Sequence, residues 1–248
     1  MHRILCEIGS FSVYSYGVCV AAAFLISTLL IRRDCVRSGL PFDKVLDCLL
    51  WILVGGLIGG RLLFVCTDLK YYLQFPMRIF AIRDGGMAFH GGLAAGTAAA
   101  AIVCRRKEMS FAETSDIIAP YIALGQAVGR VGCFLNGCCY GKVVRSGFGV
   151  TFPGEVSMRL PVQAYAALGL AVMYLALLRV RGAKLFSGST ILLYLVMYSI
   201  FRFFIEFLRG DNPSVAFGMT LPQVISASMF TVSVILFTVL FAVKRVKR

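Results

Sequence analysis

The stretch Gly125–Gly141 reads GQAVGRVGCFLNGCCYG and carries a charge where an apolar segment should avoid one. An arginine near the centre of a bilayer costs about 3 kcal/mol on insertion scales. Arg130 therefore needs a partner or a bound anion to offset that cost. Gly129, Gly132, Gly137 and Gly141 remove side chains from its surroundings. They let backbone or ligand come close and permit unusual backbone angles. These residue types point to a seat for an anionic group inside a membrane.

A second charged set lies in YSIFRFFIEFLRGD, Tyr198–Asp211. Arg202, Glu206 and Arg209 recur at helical spacing and should project from one helix face. One reading is a structural ion pair with an interfacial basic residue beside it. The other starts from the surplus positive charge that two arginines leave against one glutamate, since the planar guanidinium fork matches phosphate oxygens. Arg130 could converge on the same anion. His90 stands in GGMAFHGGL with Gly85 and Gly86 before it and Gly91 and Gly92 after it. It is either a hydrogen-bonded core histidine or a reachable imidazole suited to proton transfer near neutral pH. Tyr16, before Gly17, fits the aromatic belt of a membrane interface. Cys133, Cys138 and Cys139 lack partnering histidines and show no C-x-x-C pair, so they are expected to bind no metal and to serve as small buried hydrophobes rather than as a nucleophile.

The elements that must hold these residues follow from composition. The 248 residues are 59% hydrophobic and 15% charged, with mean hydropathy +0.83, against about 25% charged in ordinary soluble domains. The expectation is an all-α polytopic membrane protein, a single integral membrane domain with about seven transmembrane helices around a membrane-embedded cavity. The spans are expected at about 14–31, 45–65, 86–104, 115–135, 161–180, 189–208 and 221–243, each near the length a helix needs to cross. Glycines are expected to interrupt the fourth span. No cleavable signal peptide is expected at the N-terminus, where a basic segment followed by an apolar core is missing.

The net charge of +13 and pI near 9.6 would suggest nucleic acid in a soluble protein. Here the basic residues cluster in short loops, so membrane topology accounts for them and no nucleic acid is implied. With the N-terminus outside, the inner segments, among them Arg32, Arg33, Arg105, Arg106, Lys107, Lys244 and Arg245, hold the larger share of the 25 Lys and Arg. That bias predicts an outside N-terminus and a cytoplasmic C-terminus. The intramembrane charges would also fit an anion pathway in a transporter, but the halves show no inverted repeat.

Five motifs in order carry a resemblance: Tyr16-Gly17, GGMAFHGGL at 85–93, GRVGCFLNG at 129–137 with Gly141, RLPVQAY at 159–165, and FRFFIEFLRGD at 201–211. Together they resemble bacterial prolipoprotein diacylglyceryl transferase, from about Tyr14 to Met229. The resemblance implies a multi-pass enzyme of the bacterial cytoplasmic (inner) membrane that needs no cofactor. Its partners would be phosphatidylglycerol and a signal-peptide-bearing preprolipoprotein. The diacylglyceryl group would move to the lipobox cysteine thiol, forming a thioether and releasing glycerol phosphate. Matched motif to motif, it implies Arg130 and Arg202 at the lipid phosphate, His90 as base or positioner, and Glu206 orienting Arg202 or sharing in proton transfer. Tyr16, Asn136, Gly141 and Arg209 would bind substrate. The chain departs from the usual signature at Cys133, where the family has asparagine, at Cys138, where it has glutamate, and at Val162, Ala164 and Ala166. These departures imply either a cysteine-containing branch with the same activity or a paralogue with another acceptor or lipid.

Overall fold

The computed structural model describes residues 3–8, 11–81, 85–145, 147, 149–183, 185–210, 212–216 and 218–246. Asp211 of the FRFFIEFLRGD motif and the loop charges Arg83, Lys184, Lys247 and Arg248 lie outside the described residues. The fold is helical: α1 (Ser15–Ser38), α2 (Phe42–Thr67), α3 (Leu69–Gln74), α4 (Phe89–Arg106), α5 (Phe111–Asn136), α6 (Val162–Arg181), α7 (Ser189–Glu206) and α8 (Leu221–Val246). A 3-10 turn occupies Pro76–Phe80. Two short antiparallel hairpins were not anticipated, β1 (Ile4–Ile8) with β2 (Phe11–Tyr14) and β3 (Ser214–Ala216) with β4 (Met219–Thr220). Six helices, α1, α2, α5, α6, α7 and α8, are long and apolar enough to cross a membrane. This is the polytopic all-α class expected. The third expected span is a helix too, but α4 is rich in Gly and Ala and is not among those six. Large apolar side chains such as Leu29, Trp51, Leu168 and Val239 are exposed along the crossing helices. A soluble surface would not tolerate so much exposed apolar area, whereas lipid does.

Two expectations need correction. The fourth span is not interrupted: α5 runs unbroken through Gly129 and Gly132 to Asn136. Of the four glycines around Arg130, only Gly137 takes a positive φ, +70°. It ends α5 in a Schellman motif, with Cys138 N–H donating to the Cys133 carbonyl at 3.1 Å and Gly137 N–H to Phe134 at 3.2 Å. Likewise α7 stops at Glu206, so Arg209 sits in the turn beyond the helix rather than on its face.

The chain divides into two compact units, residues 32–114 and residues 1–31 with 115–248. The first is built on α2 against α4. A Cβ placed on Gly59 would lie 2.2 Å from Ala95 Cβ and 2.5 Å from the Gly91 carbonyl oxygen. One on Gly91 would lie 2.3 Å from the Gly59 carbonyl oxygen. The glycines beside His90 thus serve backbone-to-backbone helix packing, the way small residues join helices in lipid. Arg61 closes the same unit. Its guanidinium is buried, with 6% exposure, and donates to the carbonyls of Arg78, Ile79, Ala81, Gly85 and Gly86. No acid is needed where carbonyl dipoles take its donors, and the segment leading to His90 is tied to α2 by one side chain.

In the other unit α5, α6 and α7 share a core of Ala119, Ala123, Ala127, Leu170, Met173, Leu177 and Tyr194. Asp116 reaches across to cap α7, accepting from Gly188 N–H at 2.7 Å and Ile191 N–H at 2.9 Å. A carboxylate at a helix N-terminus meets unpaired donors and the positive end of the dipole.

The α2–α4 packing has a direct test. Gly59→Val should destabilise the protein by about 1–3 kcal/mol or more, as overpacking of a closed interface does. Gly125→Ala, where nothing lies within 4 Å of the added atom, should leave thermal unfolding in detergent unchanged or raise its midpoint. Equal midpoints for the two variants would refute the packing.

Candidate functional site

The charges of FRFFIEFLR meet at Glu206, whose side chain has 0% exposure. Arg202 Nη1 lies 2.7 Å from its Oε2, one helical turn earlier on α7. The contact is a charge pair whose angles fall outside hydrogen-bond geometry. Arg209 Nε approaches the same oxygen at 4.0 Å. The other carboxylate oxygen accepts from Thr220 Oγ1 at 3.2 Å and from Asn212 Nδ2. Asn212 lies just before β3 and Thr220 ends β4, so that hairpin closes over the carboxylate. Two cations and two neutral donors hold this buried carboxylate in place, and breaking such a buried pair costs about 3–5 kcal/mol.

Arg209 is carried there by a loop. Its backbone forms a bridge with Gly141, and Lys142 N–H donates to the Leu208 carbonyl at 2.9 Å. Gly141 N–H donates to the Leu160 carbonyl at 2.9 Å. A Cβ on Gly141 would lie 2.5 Å from Val162 Cγ2 and 2.6 Å from the Leu208 carbonyl oxygen. Gly141 therefore lets the 141–143 segment thread between α6 and the end of α7.

The second part of the site is the C-terminal end of α5. Arg130 is half-buried and close enough to Arg202, Tyr16 and Cys138 to act on each electrostatically. Gly132 gives α5 its approach to α1, since a Cβ there would stand 3.0 Å from Cys19 Cβ and 3.3 Å from the Tyr16 ring. Tyr16 itself stays 45% exposed. Asn136 ends α5, and its side chain hydrogen-bonds to Cys138. Hydrogen bonds from the thiols of Cys133 and Cys139, then Asn136 and the charge of Arg130, hold the Cys138 thiol below the usual cysteine range. The thiols of Cys133, Cys138 and Cys139 all lie within 4.8 Å of one another. Gln163, fully buried on α6, braces this turn with Nε2 donating to the Cys138 carbonyl at 2.6 Å.

The loop that follows carries its own ion pair. Glu155 accepts from Tyr140 Oη at 2.6 Å and from Arg159 Nε at 2.8 Å, and Arg159 lies over the Tyr140 ring. The Tyr140 hydroxyl first, then Arg159, holds the Glu155 carboxyl below its usual range. A depressed carboxyl stabilises the fold above its unfolded pKa, and that contribution fades as pH falls through the folded value.

Tyr16, Arg130, Asn136, Gly141, Arg202, Glu206 and Arg209 thus all belong to the unit of residues 1–31 and 115–248, whereas His90 opens α4 in the other unit, exposed and edge-on to Phe89 with ring centroids 5.7 Å apart. Sequence reasoning missed Asn212, Thr220, Gln163 and Arg61. The first three are neutral and carry no spacing signal. Arg61 was visible as a charge inside a span, and its adjacency to GGLIGG could have marked it as the fastener of the α2–α4 packing.

The family model of prolipoprotein diacylglyceryl transferase matches residues 3–239. The chain belongs to the prolipoprotein diacylglyceryl transferase family. Among curated members, it is 30% identical over 244 residues to the phosphatidylglycerol–prolipoprotein diacylglyceryl transferase 2 of Clostridium perfringens, covering 96% of this chain and 95% of that protein. It is 35% identical over 225 residues to the phosphatidylglycerol–prolipoprotein diacylglyceryl transferase of Geobacter sulfurreducens, covering 87% and 86%. With that of Bacillus cytotoxicus it shares 34% over 245 residues, covering 95% and 90%. Near-full coverage in both directions means that this diacylglyceryl transferase family member has the whole architecture of those proteins rather than one shared segment.

Proposed function

We propose that the protein transfers the diacylglyceryl group of phosphatidylglycerol to the lipobox cysteine thiol of a preprolipoprotein, as its relatives are named for doing. The observation that carries this reading is the charge balance at Glu206. One buried carboxylate faces Arg202 and Arg209, with Arg130 within electrostatic reach. Three cations against one anion leave room for a phosphate as second counter-charge. In the reaction the thiol loses its proton, sulfur forms a C–S bond to the terminal glycerol carbon, and the C–O bond to phosphate breaks. The bonding pair leaves on glycerol phosphate, so fixed cations at the phosphate oxygens lower the barrier. Arg130 and Arg202 are assigned to those oxygens. Glu206 holds Arg202 and Arg209 in place through a charge that substrate does not have to supply. Tyr16, Asn136 and Gly141 shape the approach to the arginines. His90 is assigned to the thiol proton, as base or positioner, on the exposure of its imidazole and its chemistry alone.

We further assign the whole chain to one membrane domain of the bacterial cytoplasmic membrane, with α4 as the seventh crossing, the N-terminus outside and the C-terminus inside. Basic residues at the ends of α4, α6 and α8, namely Arg105, Arg106, Arg179, Arg181, Lys244 and Arg245, support that orientation. Thiol reagents applied outside intact cells should label a cysteine introduced at Gly147 and miss one at Gly182. The opposite pattern would reverse the topology.

The arginine assignment has a sharper test. Lysine keeps the charge but loses the two-pronged donor geometry. Arg130→Lys and Arg202→Lys should insert and purify normally yet lose at least tenfold in transfer of diacylglycerol to a lipobox peptide, in kcat more than in KM. Glu206→Gln, which still accepts from Asn212 and Thr220, should be milder than Glu206→Ala. Near-wild-type transfer by both lysine variants would make the arginines structural. No thioether product and no glycerol phosphate from the purified wild type would overturn the transferase reading itself.

A further inference from the structure

The three cysteines at the end of α5 are unused by the reaction just described, and sequence spacing argued against a metal there because no histidine accompanies them. The structure changes the weight of that argument. Cys133 lies on the last turn of α5, and Cys138 and Cys139 lie beyond the Gly137 cap, so the Schellman turn folds the latter two back over the former. The three sulfurs come within 4.8 Å of one another. Zinc-to-thiolate bonds of about 2.3 Å put neighbouring sulfurs about 3.8 Å apart in a tetrahedral site, a separation of the same order as the 4.8 Å within which all three lie.

Three further observations set the cluster apart from thiols that merely fill space. All three cysteines are partly exposed rather than sealed in the core, whereas Cys35, Cys48 and Cys104 are buried. Cys139 holds a positive φ of 61°, a conformation costly for a side-chain-bearing residue that brings its sulfur to the group. And Gln163, which fixes the Cys138 carbonyl through Nε2, keeps its buried Oε1 without a hydrogen-bond partner among the described residues. A buried acceptor left open at 1% exposure calls for a donor that is not part of the chain, such as a water or a ligand in the same pocket.

We propose that Cys133, Cys138 and Cys139 form a three-thiolate seat for one zinc-class cation, with its fourth position open to an external thiolate. Three thiolates on a divalent ion leave one net negative charge, and Arg130, within electrostatic reach of Cys138, offsets it. Zinc sites with three protein ligands keep the fourth position for water or substrate, whereas structural sites close it with a fourth side chain. The external ligand rests on the transferase reading: it is the acceptor cysteine of the lipobox. That thiol would bind as the thiolate, its proton going to the base that the transferase reading assigns and the displaced water leaving as neutral water. The coordinated sulfur would then supply the pair that forms the C–S bond while the C–O bond to phosphate breaks and glycerol phosphate departs with its pair. No electron is gained or lost by the ion.

Cobalt is the probe, because thiolate-bound Co2+ shows sulfur-to-metal charge-transfer absorption and zinc does not. The full chain, purified in detergent under a non-thiol reductant, should bind one Co2+ with that absorption and release it to Zn2+. Cys133→Ser, Cys138→Ser and Cys139→Ser should each weaken binding at least tenfold, in proteins whose thermal unfolding matches wild type. X-ray absorption of zinc-loaded wild type, which needs no variant, should show at least three sulfur neighbours at about 2.3 Å. A lipobox peptide should shift the cobalt spectrum, and its serine analogue should not. Absence of the absorption in reduced wild type, or an equal band in the triple serine variant, would overturn the site. A cobalt site that ignores the cysteine peptide would overturn the fourth ligand. A peptide-responsive cobalt site with no thioether product would instead discard the transferase reading and leave the metal seat standing.

Discussion

The unit that carries most of the site depends on one buried carboxylate. Glu206 has no exposed side-chain surface, and four side chains from three stretches of the chain converge on it. Remove its charge and Arg202 stands in apolar surroundings without its nearest counter-ion, a state that membranes penalise heavily. Keep it, and the surplus of arginine charge persists because one acid cannot neutralise three cations. On the proposed reading, stability and function are coupled through a single group: the same ion pair that lets Arg202 fold into a crossing helix leaves the neighbourhood short of negative charge.

The surrounding architecture serves to bring cations to that carboxylate without bringing more acids. Gly141 allows the loop after α5 to pass where a methyl group would strike Val162 and the Leu208 carbonyl, and that passage delivers Arg209. The Gly137 turn directs the chain away from α5 just past Arg130. Asp116, the nearest acid on α5, is committed to capping α7 far along the helix from Arg130. In the other unit, Arg61 solves the same problem differently. It is buried with backbone carbonyls as its partners, so its charge is spent on ordering the segment before His90 rather than on a ligand.

Much of this was legible in the sequence, and the reasons are physical. Long apolar runs must become helices in lipid because the backbone has no other donors and acceptors, so the six apolar crossing helices lie where hydropathy put them. Arg202 and Glu206 were legible as a pair because helical spacing alone brings residues four apart together. Arg209 was placed on the same helix, and it reaches Glu206 by another route, since the helix ends one turn early. Glycines were the least legible. HGG looked like an opening beside a reactive histidine, but the missing side chains of Gly91 and Gly92 are filled by the opposing backbone of α2. The cysteine cluster was not legible as a cluster: spacing without histidine gave no reason to place the residues together, and only the fold shows the three thiols side by side. Asn212 and Thr220 carry no charge, no period and no motif, and Gln163 lies in the RLPVQAY motif without a charge or spacing to mark it, so only three-dimensional packing could single them out.

The central claim is that the arginine surplus around Glu206 is a seat for a phosphate. The most direct measurement is the unfolding midpoint of the detergent-solubilised protein with added glycerol phosphate, compared with glycerol at the same concentration and ionic strength. A ligand that binds only the folded state raises the midpoint by mass action. The account predicts a saturable rise with glycerol phosphate, none with glycerol, and loss of the rise in Arg202→Lys. Equal midpoints with the two compounds, or an undiminished rise in Arg202→Lys, would contradict it.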